Sequence, residues 1–143
     1  MTVKFKAVVI DNQNEKFTRD IKEIDSGHLK DGNVLVKIDF SSLNYKDAMI
    51  LKDGGRIVRK FPFVPGIDFS GKVVESGDEK FKKDENIICT GFRVGEMYYG
   101  GFSQYAKVDS NFLIKNPKNM DSEKSMMLGT AGFTALQLSL IHI

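Results

Sequence analysis

Apolar and polar positions alternate through the first two thirds of the chain, and the period changes after Pro117, which predicts a run of strands followed by helix. FKAVVI (Phe5 to Ile10) is a β-branched run. VLVKIDF (Val34 to Phe40) sets Val34, Val36, Ile38 and Phe40 against Lys37 and Asp39, so one face of that strand is expected in the core. KFTRDIKEI (Lys16 to Ile24) alternates Phe17, Arg19, Ile21 and Glu23 with Thr18, Asp20 and Lys22; charge on both faces marks it as an edge strand. IDFSGKVVES (Ile67 to Ser76), ENIICTGF (Glu85 to Phe92) and GFSQYAKVD (Gly101 to Asp109) complete the set, bounded by Gly or Asp/Asn turn chemistry. NYKDAMILK breaks the alternation: Tyr45, Ala48, Met49 and Lys52 fall at helical spacing, predicting a short helix that ends by Gly54-Gly55. Beyond Pro117, Asp121 or Ser122 is placed to cap a helix carrying Met126, Met127 and Leu128, which bends near Gly129 to Gly132 and resumes through Leu140. The pattern as a whole predicts a mainly β fold with short helices, built as a small barrel or a partly open β-structure.

Composition narrows what such a fold does. At 143 residues the chain is the size of one domain, and 41% hydrophobic with 28% charged residues excludes disorder. The net charge of +2 arises from interspersed Lys, Arg, Asp and Glu, so the electrostatic footprint of a nucleic-acid binder is missing. A single cysteine, Cys89, excludes an internal disulfide framework and suits a reducing compartment. The apolar run in MTVKFKAVVID is too short for a signal peptide, and no stretch approaches a membrane span. A cytoplasmic chain without membrane or nucleic-acid partners is expected.

The stretch VPGIDFSGKVV (Val64 to Val74) poses the chemical question, because it sets the carboxylate of Asp68 into an otherwise apolar strand. A metal ligand, a surface-facing position and a polar group lining a substrate cleft compete. Cys89, His28 and His142 stand in no ligand-pair spacing, and there is no DxDxDG loop, so no metal site is expected. There is no GxSxG elbow; His28, in SGHLKDG, reads as a surface-loop residue and Cys89 as a small buried hydrophobe. GTAGFTA (Gly129 to Ala135) is rich in small residues, but it follows a helical pattern and lacks the GxGxxG spacing of a dinucleotide fingerprint. What remains is a set of polar residues in apolar settings: Asn44, Tyr45, Lys46 and Asp47 at a strand-to-helix junction, Asp68 in its strand, and Thr130 in the Gly-bounded break. Each also has a structural reading: Asn44 as a helix cap, Asp47 paired with Lys46 or the helix N-terminus, Thr130 satisfying backbone groups.

Taken in order, SSLNYKDAMIL, FPFVPGIDFSGKVVES, GGFSQYAKVDSNFLIKNP and EKSMMLGTAGFTAL resemble the N-terminal, GroES-like catalytic domain of medium-chain dehydrogenase/reductases. Within that superfamily they look like the zinc-free quinone-oxidoreductase branch and its acrylyl-CoA reductase-like members, over roughly Lys6 to Leu136. The resemblance implies a GroES-like, partly open β-barrel over residues 1–118, with residues 119–143 starting the connecting helices towards a Rossmann domain that the chain does not reach. Zinc-dependent members carry a Cys near the position of Tyr45 or Lys46 and Gly-His-Glu where this chain has Gly66-Ile67-Asp68, so the resemblance makes Asp68 a cleft-lining residue of a zinc-free site. It implies catalytic roles for Tyr45, Asn44 and Asp68, contacts with NADPH from Tyr45, Asn44 and Thr130, and a part in the same site for Asp47. The implied reaction is reduction of an activated alkene in an enoyl-CoA such as acrylyl-CoA, or of a quinone. Hydride reaches the β-carbon of the alkene, and hydrogen-bond donors stabilise the charge that collects on the carbonyl or thioester oxygen. A homodimer is implied for the full-length protein. Arg56, Arg59, Lys60 and Arg93 are cations that could meet an anionic CoA group. The closing QLSLIHI departs from what the family carries after GFTA, and SLIHI looks like translated adapter sequence; the expectation is a truncated reading frame in which His142 has no function. The rival reading is a non-catalytic GroES-like binding or assembly module.

Overall fold

The computed structural model describes residues 3–13, 16–54 and 56–142; Gly55, expected at the stop of the first helix, lies outside the described residues. Two long strands open the chain, β1 (Lys4–Gln13) and β2 (Lys16–Asp25), paired antiparallel as a two-stranded ribbon. Among the described residues β2 pairs with β1 alone and leaves Ile21 exposed, as an edge strand does. Five further strands form an open antiparallel sheet: β3 (Val34–Ser41), β4 (Asp68–Ser76), β5 (Asn86–Thr90), β6 (Tyr105–Val108) and β7 (Leu113–Lys115), in the order β6-β3-β4-β5-β7. β1 crosses to the rest through the backbone bonds Val8 N–H to Phe102 O (2.8 Å) and Ile10 N–H to Phe63 O (2.9 Å). The result is mainly β and does not close into a full barrel.

Side-chain parity decides the core. Val34 and Val36 of β3, Phe69 and Val73 of β4, Ile87 and Cys89 of β5, and Ala106 and Val108 of β6 all turn to one interior. A second cluster, Phe5, Ala7, Val9, Leu29 and Val64, lies under β1, and a third joins Ile10 and Phe63 to Ile50 of the first helix. Phe40 corrects the expected core face of β3. It is 44% exposed, because the pairing with β4 slips between Ile38 and Phe40. A one-residue slip turns every later side chain to the other face.

Two expected strands are shorter than their apolar runs. ENIICTGF stops at Thr90 because Gly91 and Phe92 turn with φ of 80° and 52°, which an extended strand cannot accommodate. The stretch from Gly101 spends its backbone groups elsewhere: Gly101 N–H donates to Gly66 O, Phe102 N–H to Pro65 O and Gln104 N–H to Lys6 O, so β6 begins only at Tyr105. β7 was not predicted; it is three residues long and follows directly on a 3-10 turn at Ser110–Phe112.

The helices sit where expected. α1 (Tyr45–Asp53) starts after Asn44 and stops at Gly54, whose φ of 82° supplies a left-handed C-cap. α2 (Ser122–Ile141) is capped by Asp121, whose carboxylate accepts from Lys124 N–H at 2.8 Å. It breaks at Gly129 (φ 48°, ψ −157°), the residue at which the predicted bend was to begin. No helix among the described residues is long and apolar enough to cross a membrane.

Candidate functional site

β4 is the middle strand of the open sheet, and its two faces are buried for different reasons. Phe69 and Val73 fill the interior, while Asp68 and Ser70, on the other parity, are buried although polar. The first half of α2 packs against that polar face. Ser70 Oγ donates to the carbonyl of Ser122 at 2.8 Å, fixing the start of α2 on the strand. Asp68 fixes the break.

Four hydrogen bonds converge on the Asp68 carboxylate, which is 0% exposed. Oδ2 accepts from Ser42 Oγ (2.8 Å), from Asn44 Nδ2 (3.0 Å) and from the backbone N–H of Thr130 (2.7 Å). Oδ1 accepts from Thr130 Oγ1 (2.6 Å). An acceptor-only group surrounded by donors is the arrangement a buried carboxylate needs. Ser41 pairs with Phe69 at the end of β3, and the chain stays extended to Asn44, so Ser42 and Asn44, two residues apart, reach Asp68 from one side. Gly129 lets α2 approach from the other. A Cβ there would stand 2.8 Å from both Asp68 Oδ2 and Ser42 Oγ.

Asp47 forms a second buried anchor, also 0% exposed. Its Oδ2 accepts from Asn44 N–H (2.9 Å) at the mouth of α1 and its Oδ1 from Ile67 N–H (3.0 Å), tying the helix to the residue before Asp68. Burial raises the Asp47 carboxyl above its ordinary value, against the lowering effect of those backbone donors. Lys46 is engaged elsewhere, with Glu96 at 2.8 Å.

Of the residues expected at the site, Asn44, Asp68 and Thr130 are in direct contact. Tyr45, the first residue of α1, is 83% exposed and its phenol makes no hydrogen bond among the described residues. It lines a cavity of about 430 Å³ with Met49, Lys52 and Arg56. His28 is an exposed residue beside Asp25, outside this arrangement. Cys89, opposite Phe69 in the sheet, is fully buried; burial, and then the nearby Asp68 charge, push its thiol up to about 12. Among the described residues no group of three or more His, Cys, Asp or Glu side chains is placed to hold a metal ion. Sequence reasoning missed Ser42 as a partner of Asp68. Its signal was the two-residue spacing to Asn44 in SSLN, read as extended backbone.

Residues 30–118 match the alcohol dehydrogenase GroES-like domain. The chain is 42% identical over 134 residues to acrylyl-CoA reductase AcuI of Ruegeria pomeroyi, covering 92% of this chain and 41% of that protein. It is 37% identical over 135 residues to the putative quinone oxidoreductase YhfP of Bacillus subtilis, covering 94% of this chain and 41% of that protein. Among solved structures, the yhdH oxidoreductase from Salmonella enterica in complex with NADP superposes with a TM-score of 0.91 at 37% identity, over 95% of this chain and 42% of that one. The chain thus spans about two fifths of the length of each of these relatives.

Proposed function

The chain belongs to the alcohol dehydrogenase GroES-like domain family, as an N-terminal portion of a medium-chain dehydrogenase/reductase, and from that premise we propose that it supplies the substrate-side half of a zinc-free, NADPH-dependent reductase. The acceptor in this reading is an activated alkene in a short enoyl-CoA such as acrylyl-CoA. Relatives named as an acrylyl-CoA reductase and a putative quinone oxidoreductase support a small electrophilic acceptor, and the NADP in the Salmonella structure supports a nicotinamide cofactor.

The observation that carries the reading is the convergence of Ser42, Asn44 and Thr130 on Asp68 while Tyr45, next in the chain to Asn44, keeps an uncommitted phenol at the surface. A site that stabilises a developing oxyanion needs a donor held on a rigid frame and free to bond to the substrate. Tyr45 is such a donor, and the Asp68 and Asp47 anchors are the frame. Asp68, expected among the catalytic residues, is a positioning residue in this reading, because its oxygens are already occupied by donors of the chain. Asn44 Nδ2 and Thr130 Oγ1 are committed to Asp68 and act by holding the two helices in place. A nicotinamide cofactor, which supplies hydride when bound, would rest on Tyr45, Asn44 and Thr130. The exposed, unpartnered phenol and the buried, satisfied carboxylate that holds its neighbour Asn44 fit that use. The phenol donates to the thioester oxygen as charge builds there, while Asp68, its oxygens occupied by Ser42, Asn44 and Thr130, holds the frame.

NADPH consumption by the complete reductase carrying this domain, with acrylyl-CoA and with a quinone, tests the proposal. Turnover of acrylyl-CoA with kcat lowered about 100-fold or more in Tyr45→Phe is expected from the loss of one oxyanion donor. Absence of turnover with both acceptors and of NADPH binding would overturn it.

A further inference from the structure

Beyond the end of α1, a cavity of about 530 Å³ is lined by Arg56, Arg59, Lys60 and Arg93 together with the buried Val58 and Phe63. Arg56, Arg59 and Lys60 fall within the five residues RIVRK, and the fold brings Arg93, 37 positions from Arg56, to the same cavity in a chain whose net charge is only +2. The cavity wall contains one further cation and one carboxylate, Lys46 and Glu96, and these neutralise each other at 2.8 Å. None of the four remaining cations has a carboxylate at ion-pair distance among the described residues; Arg93 Nη1 meets only the Met97 sulfur, at 3.0 Å. The local excess of positive charge is therefore uncompensated by the protein.

The backbone adds a second, independent point. Arg56 (φ 55°) and Arg93 (φ 62°) both occupy the left-handed region, where glycine or asparagine sits with less strain. Two arginines at such positions, on segments separated by the β4 and β5 strands, line one cavity. Guanidinium is the group that grips phosphate oxygens in pairs.

We propose that this cavity binds the phosphate groups of a phosphorylated thioester, the nucleotide arm of the acyl-CoA substrate. The inference rests on the reductase reading above and names where the non-reacting end of its substrate is held. Arg56 lines both this cavity and the one it shares with Tyr45, so a single elongated ligand runs from the exposed phenol past α1 into the cationic pocket. Binding energy gathered at phosphates remote from the alkene then orients the reacting end. Phosphate also occurs on the cofactor, as the diphosphate bridge and 2′-phosphate of NADPH, and the experiment separates the two sources.

The test is calorimetric titration of the protein with coenzyme A, pantetheine and NADPH, in the wild type, in Arg59→Glu with Lys60→Glu, and in Arg59→Lys. Arg59 and Lys60 are exposed, so the double variant is expected to fold, and its circular dichroism checks that. Coenzyme A affinity is expected to fall at least tenfold in the double variant, to weaken with rising salt in the wild type, and to fall by a smaller factor in Arg59→Lys, which keeps the charge but loses the paired grip; pantetheine and NADPH affinities stay within twofold. No coenzyme A binding by the wild type, an unchanged affinity in the double variant, or a matching loss for NADPH would each overturn the assignment. Coenzyme A carries no reducible alkene, so its binding is read whether or not the protein turns over. Failure of turnover with coenzyme A binding intact would sink the reductase reading alone; turnover with an indifferent pocket would sink this one alone.

Discussion

At the scale of single residues, Asp68 sets the terms, and the chemistry of its partners predicts an asymmetry between two substitutions. In Asp68→Asn the amide oxygen can stay with the donors on the Oδ2 side, while the new NH₂ faces Thr130 Oγ1, a hydroxyl that can rotate and accept. The loss is one of charge assistance, about 1–2 kcal/mol. Asp68→Ala instead leaves the Thr130 N–H with no acceptor in a buried place and costs about 3 kcal/mol or more. Urea unfolding of the two variants checks the order; equal losses would mean that the hydrogen bonds are not what holds this point. Cys89 offers a pH test. Its thiol is raised by burial from 9.0 to about 12, so between those values the unfolded chain releases a proton that the folded chain keeps, and stability falls as pH rises. The slope is about 1.4 kcal/mol per pH unit at most. Other groups titrate in the same range, so the quantity to measure is the difference between wild type and Cys89→Ala. Urea midpoints from pH 8 to pH 10 should fall more steeply for the wild type, and iodoacetamide should label Cys89 at pH 8 only once urea unfolds the chain.

At the scale of elements, the break in α2 makes two glycines opposites. Gly129 has a backbone conformation close to one that only glycine adopts readily, and a Cβ there would collide with Asp68 and Ser42. Gly129→Ala should cost about 3 kcal/mol or more, from strain plus the disturbed hydrogen bonds. Gly132 lies in the resumed helix, where a Cβ would stand 3.3 Å from the side chain of Leu128, an exposed residue that can give way. Gly132→Ala should therefore be neutral or stabilising by up to about 1 kcal/mol. Thermal unfolding of both variants, with opposite signs expected, locates the hinge. The hinge was legible in the sequence because glycine is the residue that marks it, and α1 was legible from Asn44, its helical spacing and Gly54. The strands were legible wherever alternation was unbroken. Phe40 was not, because a bulge inverts parity without changing a single letter, and β7 was not, because three residues carry too little pattern. The polar residues of the site stood out as carboxylates and amides in apolar settings. Their joining did not, since the bond from Thr130 to Asp68 closes a separation of 62 residues that no local period encodes.

At the scale of the whole molecule, the two halves of α2 meet different surroundings. Before Gly129, Ser125 and Met126 are buried against the sheet; after it, Phe133, Leu136, Leu138, Leu140 and Ile141 are all exposed, with Phe133, Leu136 and Leu140 along one stripe of the helix. Exposed large apolar side chains so closely spaced on a helix are normally covered by other protein, and nothing in the described chain covers these. Exposed apolar side chains gathered on one short rod attract each other as readily as any partner. The isolated chain is therefore expected to self-associate as its concentration rises and to bind the dye ANS. Leu136→Glu with Leu140→Glu places two charges one turn apart on the same stripe, which breaks the patch without touching the core. In sedimentation velocity that variant should stay monomeric at concentrations where the wild type does not, with ANS fluorescence reduced and the urea midpoint shifted by less than the equivalent of about 0.5 kcal/mol. A wild type that is monomeric and silent to ANS would mean that the second half of α2 folds back onto the sheet in solution. A variant that loses its cooperative unfolding would mean that these leucines already serve the core.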